Sequence, residues 1–530
     1  MIRTLPLLLL ATAQLNAADS LQPGEITTPY PTINHLAVEW QIAGDDDLDA
    51  SCEVRFRKAT SSSWASAMPL RRVPAGSSQG TSPIVSWTNR LSGSLFDLEP
   101  GSNYEIELKL HDPDGGSATR IVQCSTRPDP VAASDAPTRK ASKAELNQAK
   151  PGEVLLLEDG DYGAVHFSRD GEPGKPIVYR STTGAAVFSE IGLTDRQWVY
   201  LEGVTVNGPV RLNNTQHCVV RRCKINAQWG IKAYQPGMNN GCIEDNIITG
   251  IQPWKPEIMG ASGDNDGEGI QITGSGNVIR FNRVSGFRDC LSHMEDSSAV
   301  AQHCNDWLNN DVSAGLDDGI EADFAGSNCR VLGNRITNCF VGISSQPGLG
   351  GPNYFMHNVM FNLTYTGFKL HRYSQGDVIL RNTVVKVGDG LGNYTSEPFD
   401  HALISHNLFI GGASPITSFN GYSPGRGRAV DVQQFGQHCV IDHNAYAVND
   451  LPFEGKIRTT TFTSLPGKEF ETHGQQVSAD ILQQPTFPTD PLRLYPPPDL
   501  RLKSGSPDVG AHSGGETESP HYGPRPVPGQ

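Results

Sequence analysis

Five short segments share the pattern Gly-apolar-x-apolar-x: Gly230–Tyr234, Gly269–Thr273, Gly319–Asp323, Gly342–Gln346 and Gly367–His371. Alternate side chains of a strand face opposite ways. If the apolar positions point inward, the x positions form two outward columns. One reads Lys232, Gln271, Glu321, Ser344, Lys369; the other reads Tyr234, Thr273, Asp323, Gln346, His371. Adjacent strands lie ~4.8 Å apart and i,i+2 neighbours ~6.7 Å apart. Glu321, Asp323, Lys369 and His371 then share a patch about two strands tall. Arg372, Asp317 and Asp318 border it, and Asp266 and Glu268 approach from the strand below. A solvated charged face with a few ion pairs is the plain alternative.

Three chemistries suit such a patch. A lyase acting on an acidic sugar polymer needs a base and a group that neutralises the substrate carboxylate. Lys369 is the candidate base, His371 or Tyr373 the proton donor, and Arg372 a carboxylate clamp. Asp266, Glu268, Asp317 and Asp318 are hard oxygen donors that suit Ca²⁺. A glycoside hydrolase needs two carboxylates. Glu321 and Asp323, ~6.7 Å apart, approach the inverting separation of about 6.5–9.5 Å, and Asp318 or Asp289 can stand in for one of them. The third chemistry is binding alone on a flat sheet. Gln346, Tyr354 and Tyr373 are then substrate contacts, and Trp254, Trp307 and Tyr365 are aromatic surfaces for sugar rings. Turn or loop packing is the commoner use of such aromatics.

The elements that must position these residues repeat. Apolar-x-x-Asn-x-apolar recurs with Asn246, Asn282, Asn334, Asn358, Asn382, Asn407 and Asn444; Cys223 takes the same slot, and Asn310 fits more loosely. The steps from 334 to 358, 382 and 407 are 24, 24 and 25 residues. That is one coil of three short strands, with the asparagines stacked at one corner. The expected fold is all-β: a right-handed parallel β-helix over 141–512, preceded by a small immunoglobulin-like sandwich. Cys218, Cys242, Cys329 and Cys439 fall inside the repeats and read as buried packing.

The chain has 530 residues and a formal charge of −15. That balance argues against a nucleic-acid partner, whose binders carry basic stripes. Residues 1–17 read as a signal peptide, with Arg3 before an apolar core and Ala17 at the cleavage edge. No later apolar run spans a bilayer. The expectation is a secreted or periplasmic protein, monomeric, with a polysaccharide as partner. Ten cysteines are too few for a disulfide scaffold, although Cys52 with Cys124 is a candidate pair.

Residues 24–128 resemble a fibronectin type III module through "HLAVEWQIAG", "CEVRFRK" and "FDLEPGSNYEIELKLHDPDGG". In similar secreted enzymes this module is a spacer or a weak carbohydrate binder. A Pro/Ala/Ser-rich linker follows at 129–140. The segment "AELNQAKPGEVLLLEDGDYGAVHFSRDGEPGKPIVYRST" (144–182) resembles the capped first coil of polysaccharide lyase family 6 proteins. That resemblance implies a lyase acting on a uronic-acid polymer. Such lyases use a Lys and an Arg on adjacent coils, whereas Lys369 and Arg372 fall on one strand and its turn. "LDDGIEAD" and "GISSQPGLGGPNYFMHNV" resemble runs in secreted right-handed β-helix proteins. The polygalacturonase family on this fold uses clustered aspartates, but its full motif set is absent here. Residues 513–530 are rich in Gly, Pro and Ser and read as a disordered tail.

Overall fold

The computed structural model describes residues 19–418, 420–484, 486–512 and 520–526. The expected signal peptide lies outside them. Two four-stranded antiparallel sheets form an N-terminal sandwich between Gln22 and Ser125. Alternation dictates its core: Val38 and Trp40 from Leu36–Ala43 meet Ile106 and Leu108 from Asn103–His111. Cys52 and Cys124 are both free thiols. Cys52 pairs with Leu110 and Cys124 with Tyr104, six positions apart along the strand between them. That offset is ~20 Å, beyond any disulfide.

From Thr138 onward the chain winds into stacked parallel coils. Among the described residues these build a thirteen-stranded and an eighteen-stranded sheet around one apolar core. A short 3-10 helix, Lys143–Gln148, covers the first coil. Leu146 plugs the open end, and the Ser142–Glu145 capping box satisfies the helix N-terminus.

The asparagine column is a continuous hydrogen-bonded ladder. Each amide nitrogen donates to the next oxygen at 2.8–3.0 Å, from Asn246 through Asn282, Asn310, Asn334, Asn358, Asn382 and Asn407 to Asn444. Cys223 heads it by donating its backbone N–H to Asn246, and Glu471 ends it by accepting from Asn444 at 2.7 Å. Every rung satisfies backbone groups that a tight corner would otherwise orphan.

The sandwich is docked on the coils rather than tethered as a spacer. His35 Nδ1 meets Asp306 Oδ2 at 2.9 Å, and Arg330 Nε donates to Asp306 Oδ1 at 2.5 Å. Arg330 also donates to Ser94 Oγ. Tyr354 belongs to this junction: its hydroxyl accepts from Ser94 N and it is buried. The substrate-contact role expected for Tyr354 is therefore ruled out. The expected disordered tail is also corrected in part. Residues 520–526 pack on the turns, where Arg525 pairs with Asp245 and Glu244 and lies over Phe281.

Candidate functional site

Strand pairing aligns the first outward column as Lys232, Gln271, Ser292, Glu321, Ser344, Lys369. Ser292 is a rung that the Gly-apolar pattern misses. Its coil reads Asp289-Cys-Leu-Ser-His293, with Cys290 where the others carry Gly. The Asn282, Asn310, Asn334 spacing was the signal that a coil lay between. Leu291 aligns with Ile270 and Ile320, so the phase is preserved. His293 aligns with Ile272 and points into the core, where it lies edge-on to Trp307.

That coil sets Asp289, expected as a stand-in carboxylate, in a second column. Glu268 pairs with Asp289, and Asp289 Oδ1 accepts the backbone N–H of Asp318 at 2.6 Å. One carboxylate oxygen from each of Asp289, Asp318 and Glu321 lies within 4.8 Å of the other two. Asp318 is 0% exposed, Asp289 2% and Glu321 8%. The cluster is enclosed, and Glu321 is the member nearest solvent.

Burial dominates the electrostatics. It lifts Glu268 to about 8 and Asp318 to about 7, although the Lys369 ammonium pulls Asp318 back down. Burial, then the charges of neighbouring carboxylates, push Asp289 and Glu321 well above the carboxylate range. Glu295, on the loop after the missed coil, adds to the pressure on Glu321 and Asp323. Lys369 Nζ donates to Asp318 Oδ2 at 2.7 Å. Burial disfavours its charge, but Asp318, Asp317, Asp323 and Glu321 outweigh that and hold it protonated.

Several expected roles are corrected by these contacts. Lys369 is held as an ammonium, so it is not a free base. Asp323 is committed as an acceptor to Ser344 Oγ at 2.6 Å and Gln346 N at 2.8 Å, so it is not half of an open carboxylate pair with Glu321. Burial, then Lys369, push His371 down to about 4, so it has no imidazolium proton to give at neutral pH. Arg372 is engaged by Asp296 at 3.4 Å, and its backbone N–H donates to Glu397. Tyr373 follows it, both residues having positive φ in the turn beyond the strand. The expected metal set is not brought together as such. Asp266 is exposed and bonded to Gln228, and Asp317 faces Arg288, which leaves Glu268 and Asp318 on the buried column. The aromatics Trp254, Trp307 and Tyr365 are packing residues, the first and last in a loop cluster and Trp307 in the core.

On the same wall, a groove of about 370 Å³ is lined by Trp229, Tyr234, Gln271, Met294 and Ser297. It lies on the side of the carboxylates toward the N-terminal coils. A larger cavity of about 510 Å³ sits on another face, beside the linker and the stacked Trp198 and His217 rings. It holds none of the carboxylates.

Residues 209–385 match the family described as right-handed beta helix region. The fold of this chain is a right-handed parallel β-helix behind a small β-sandwich. The match spans the missed coil and both carboxylate columns. Among solved structures, the chain is similar to the family 28 exopolygalacturonase of Yersinia enterocolitica, at 9% identity and a TM-score of 0.33 over 86% of this chain and 99% of that one. It is also similar to the tailspike protein gp49 from Pseudomonas phage LKA1, at 10% identity and a TM-score of 0.19 over 83% and 59%. A redesigned β-sandwich protein aligns with 20% of this chain and 96% of its own, at 19% identity and a TM-score of 0.14. No curated protein matches the sequence. No helix among the described residues is long and apolar enough to cross a membrane.

Proposed function

We propose that this β-helix protein is a polysaccharide-active glycoside hydrolase working outside the cytoplasm, with Glu321 as proton donor and Asp318 as the paired carboxylate. One observation carries the reading: three carboxylates with oxygens within 4.8 Å, and Lys369 in contact with one of them. So many acids around one ammonium retain a proton at neutral pH. Lys369 favours the anion on Asp318. Glu321, further toward solvent, keeps the proton. In the reaction Glu321 gives that proton to the glycosidic oxygen as the C1–O bond breaks. Asp318 bonds to C1, water then displaces it, and Glu321 recovers a proton from that water. Two successive displacements at C1 restore its configuration, so this route gives retention. Asp318 is enclosed, so attack on C1 requires a local opening that exposes it. The test is a panel of neutral, uronic and sulfated glycans. Glu321→Gln and Asp318→Asn should each lower kcat by roughly 10³-fold or more on the substrate found. Full turnover by both variants would refute the assignment.

A second reading rests on Asp318 Oδ1 and Asp323 Oδ2, which are buried and have no hydrogen-bond partner. Asp289, Asp318 and Glu321 fit a hard cation such as Ca²⁺. A bound cation would neutralise a substrate carboxylate, as a uronate lyase requires. Loss of activity with chelator, and an unsaturated product, would favour this reading.

A further inference from the structure

Three rungs from Glu321 on the same column, Lys232 is enclosed by aromatic rings. Its ammonium lies 3.4 Å from the centroid of Trp229 and 4.4 Å from that of Tyr234. No carboxylate among the described residues lies within 4 Å of it. Other buried or half-buried cations nearby are paired: Arg211, one rung away, holds Glu190 at 2.9 Å, and Lys369 holds Asp318. Lys232 is 6% exposed, and Trp229 and Tyr234 line a groove with Gln271, which precedes Ser292 and Glu321 on the same column. Burial, then Arg211, lower its pKa to about 8, against a smaller upward pull from Glu268 and Asp266.

We propose that Lys232, Trp229 and Tyr234 form a subsite for an anionic sugar unit, a uronate carboxylate or a sulfate ester, on a polymer lying along the stack toward Glu321. The rings supply flat apolar surface for a sugar face, and the ammonium held against them supplies the positive charge. Three rungs make ~14 Å, so the chain bound here enters the carboxylate centre several sugars further on. The column runs from Arg211, which is paired with Glu190, through Lys232, Gln271 and Ser292 to Glu321, so Lys232 offers an acidic polymer a positive contact ahead of the carboxylate centre. The inference uses the hydrolase reading for its direction, but binding at Lys232 does not depend on turnover.

The experiment is affinity gel electrophoresis of the full chain in alginate, dextran sulfate and neutral dextran, with thermal unfolding as a control for folding. Wild type should be retarded by one of the two anionic polymers and not by dextran. Stronger retardation by alginate assigns a carboxylate, and by dextran sulfate a sulfate. Lys232→Gln should weaken that retardation roughly ten-fold, and Lys232→Arg should restore most of it. Trp229→Ala should weaken it as well. If folded Lys232→Gln binds both anionic polymers like wild type, or if wild type binds dextran equally, the subsite is refuted. If the binding pattern holds but no polymer is cleaved, the hydrolase reading fails while the subsite stands.

Discussion

Lys369 Nζ donates to Asp318 Oδ2 at 2.7 Å across 51 residues of sequence, which turns the expected base of the site into the counter-ion of a carboxylate. Removing its charge leaves Asp318 buried beside Asp289 and Glu321 with no contacting cation. Lys369→Met should cost about 3–5 kcal/mol of stability and lower kcat by at least ~10²-fold. Lys369→Arg, which keeps the charge, should retain most of the stability. Denaturant melts and steady-state rates on the same samples check both. A general-base role would make Lys369→Arg as inactive as Lys369→Met while both stay folded.

The proton-holding cluster sets a pH dependence of stability. Glu268 is raised from 4.5 to about 8 and Asp318 from 3.8 to about 7. The folded state therefore binds more protons than the unfolded chain between those values. Stability is full below about pH 4 for these groups and falls as pH rises toward about 8. A tenfold difference in proton affinity between the folded and unfolded chain is worth about 1.4 kcal/mol, so the total effect is of order a few kcal/mol. Thermal melts from pH 5 to 8 should show Tm declining, and Glu268→Gln should flatten the decline. A Tm that rises across this window would contradict the assignment.

The asparagine ladder was legible in the sequence because its residue type and its step of 24 or 25 residues recur without interruption from Asn334 to Asn407. Its energetic role is testable. Asn358→Ala removes a donor to Asn382 and an acceptor for Asn334, and orphans the backbone N–H of Asn334. It should cost about 1–3 kcal/mol for each buried group left unsatisfied, read by urea denaturation.

The site itself was legible only in part. Pattern and strand alternation placed Glu321 and Lys369 on one outward column. The coil at Asp289–His293 escaped because Cys290 stands in the glycine slot, and Ser292 escaped with it; Asp289 was named as a stand-in carboxylate but without its place beside Asp318 and Glu321. Contacts that depend on burial were also out of reach. Nothing in the run "FKLHRY" states that the lysine meets Asp318, or that His371 is enclosed enough to stay neutral. The docked sandwich was hidden for the same reason, since His35, Asp306 and Arg330 lie far apart in the chain.

That docking makes its own prediction. Burial opposes the charge of Asp306, but Arg330 and His35 overcome it and hold its carboxyl well below the usual range. Asp306→Ala strands the fully buried Arg330 guanidinium and should destabilise the protein by about 3–5 kcal/mol. Limited proteolysis should then release the sandwich faster than from wild type. Equal rates would mean that the junction does not depend on this ion pair.

Chelation separates the two readings of the carboxylate centre. Lys369 already contacts Asp318, so exhaustive treatment with EDTA should leave turnover unchanged within about two-fold. A larger loss, restored by Ca²⁺ alone, would place a cation among Asp289, Asp318 and Glu321 instead.

The most direct measurement follows the products formed from the polymer that the full chain degrades. Carboxylate-driven hydrolysis predicts new reducing ends without the ultraviolet absorbance of an unsaturated sugar, and retention at the anomeric carbon. Reducing ends that appear together with that absorbance would show β-elimination and contradict the account.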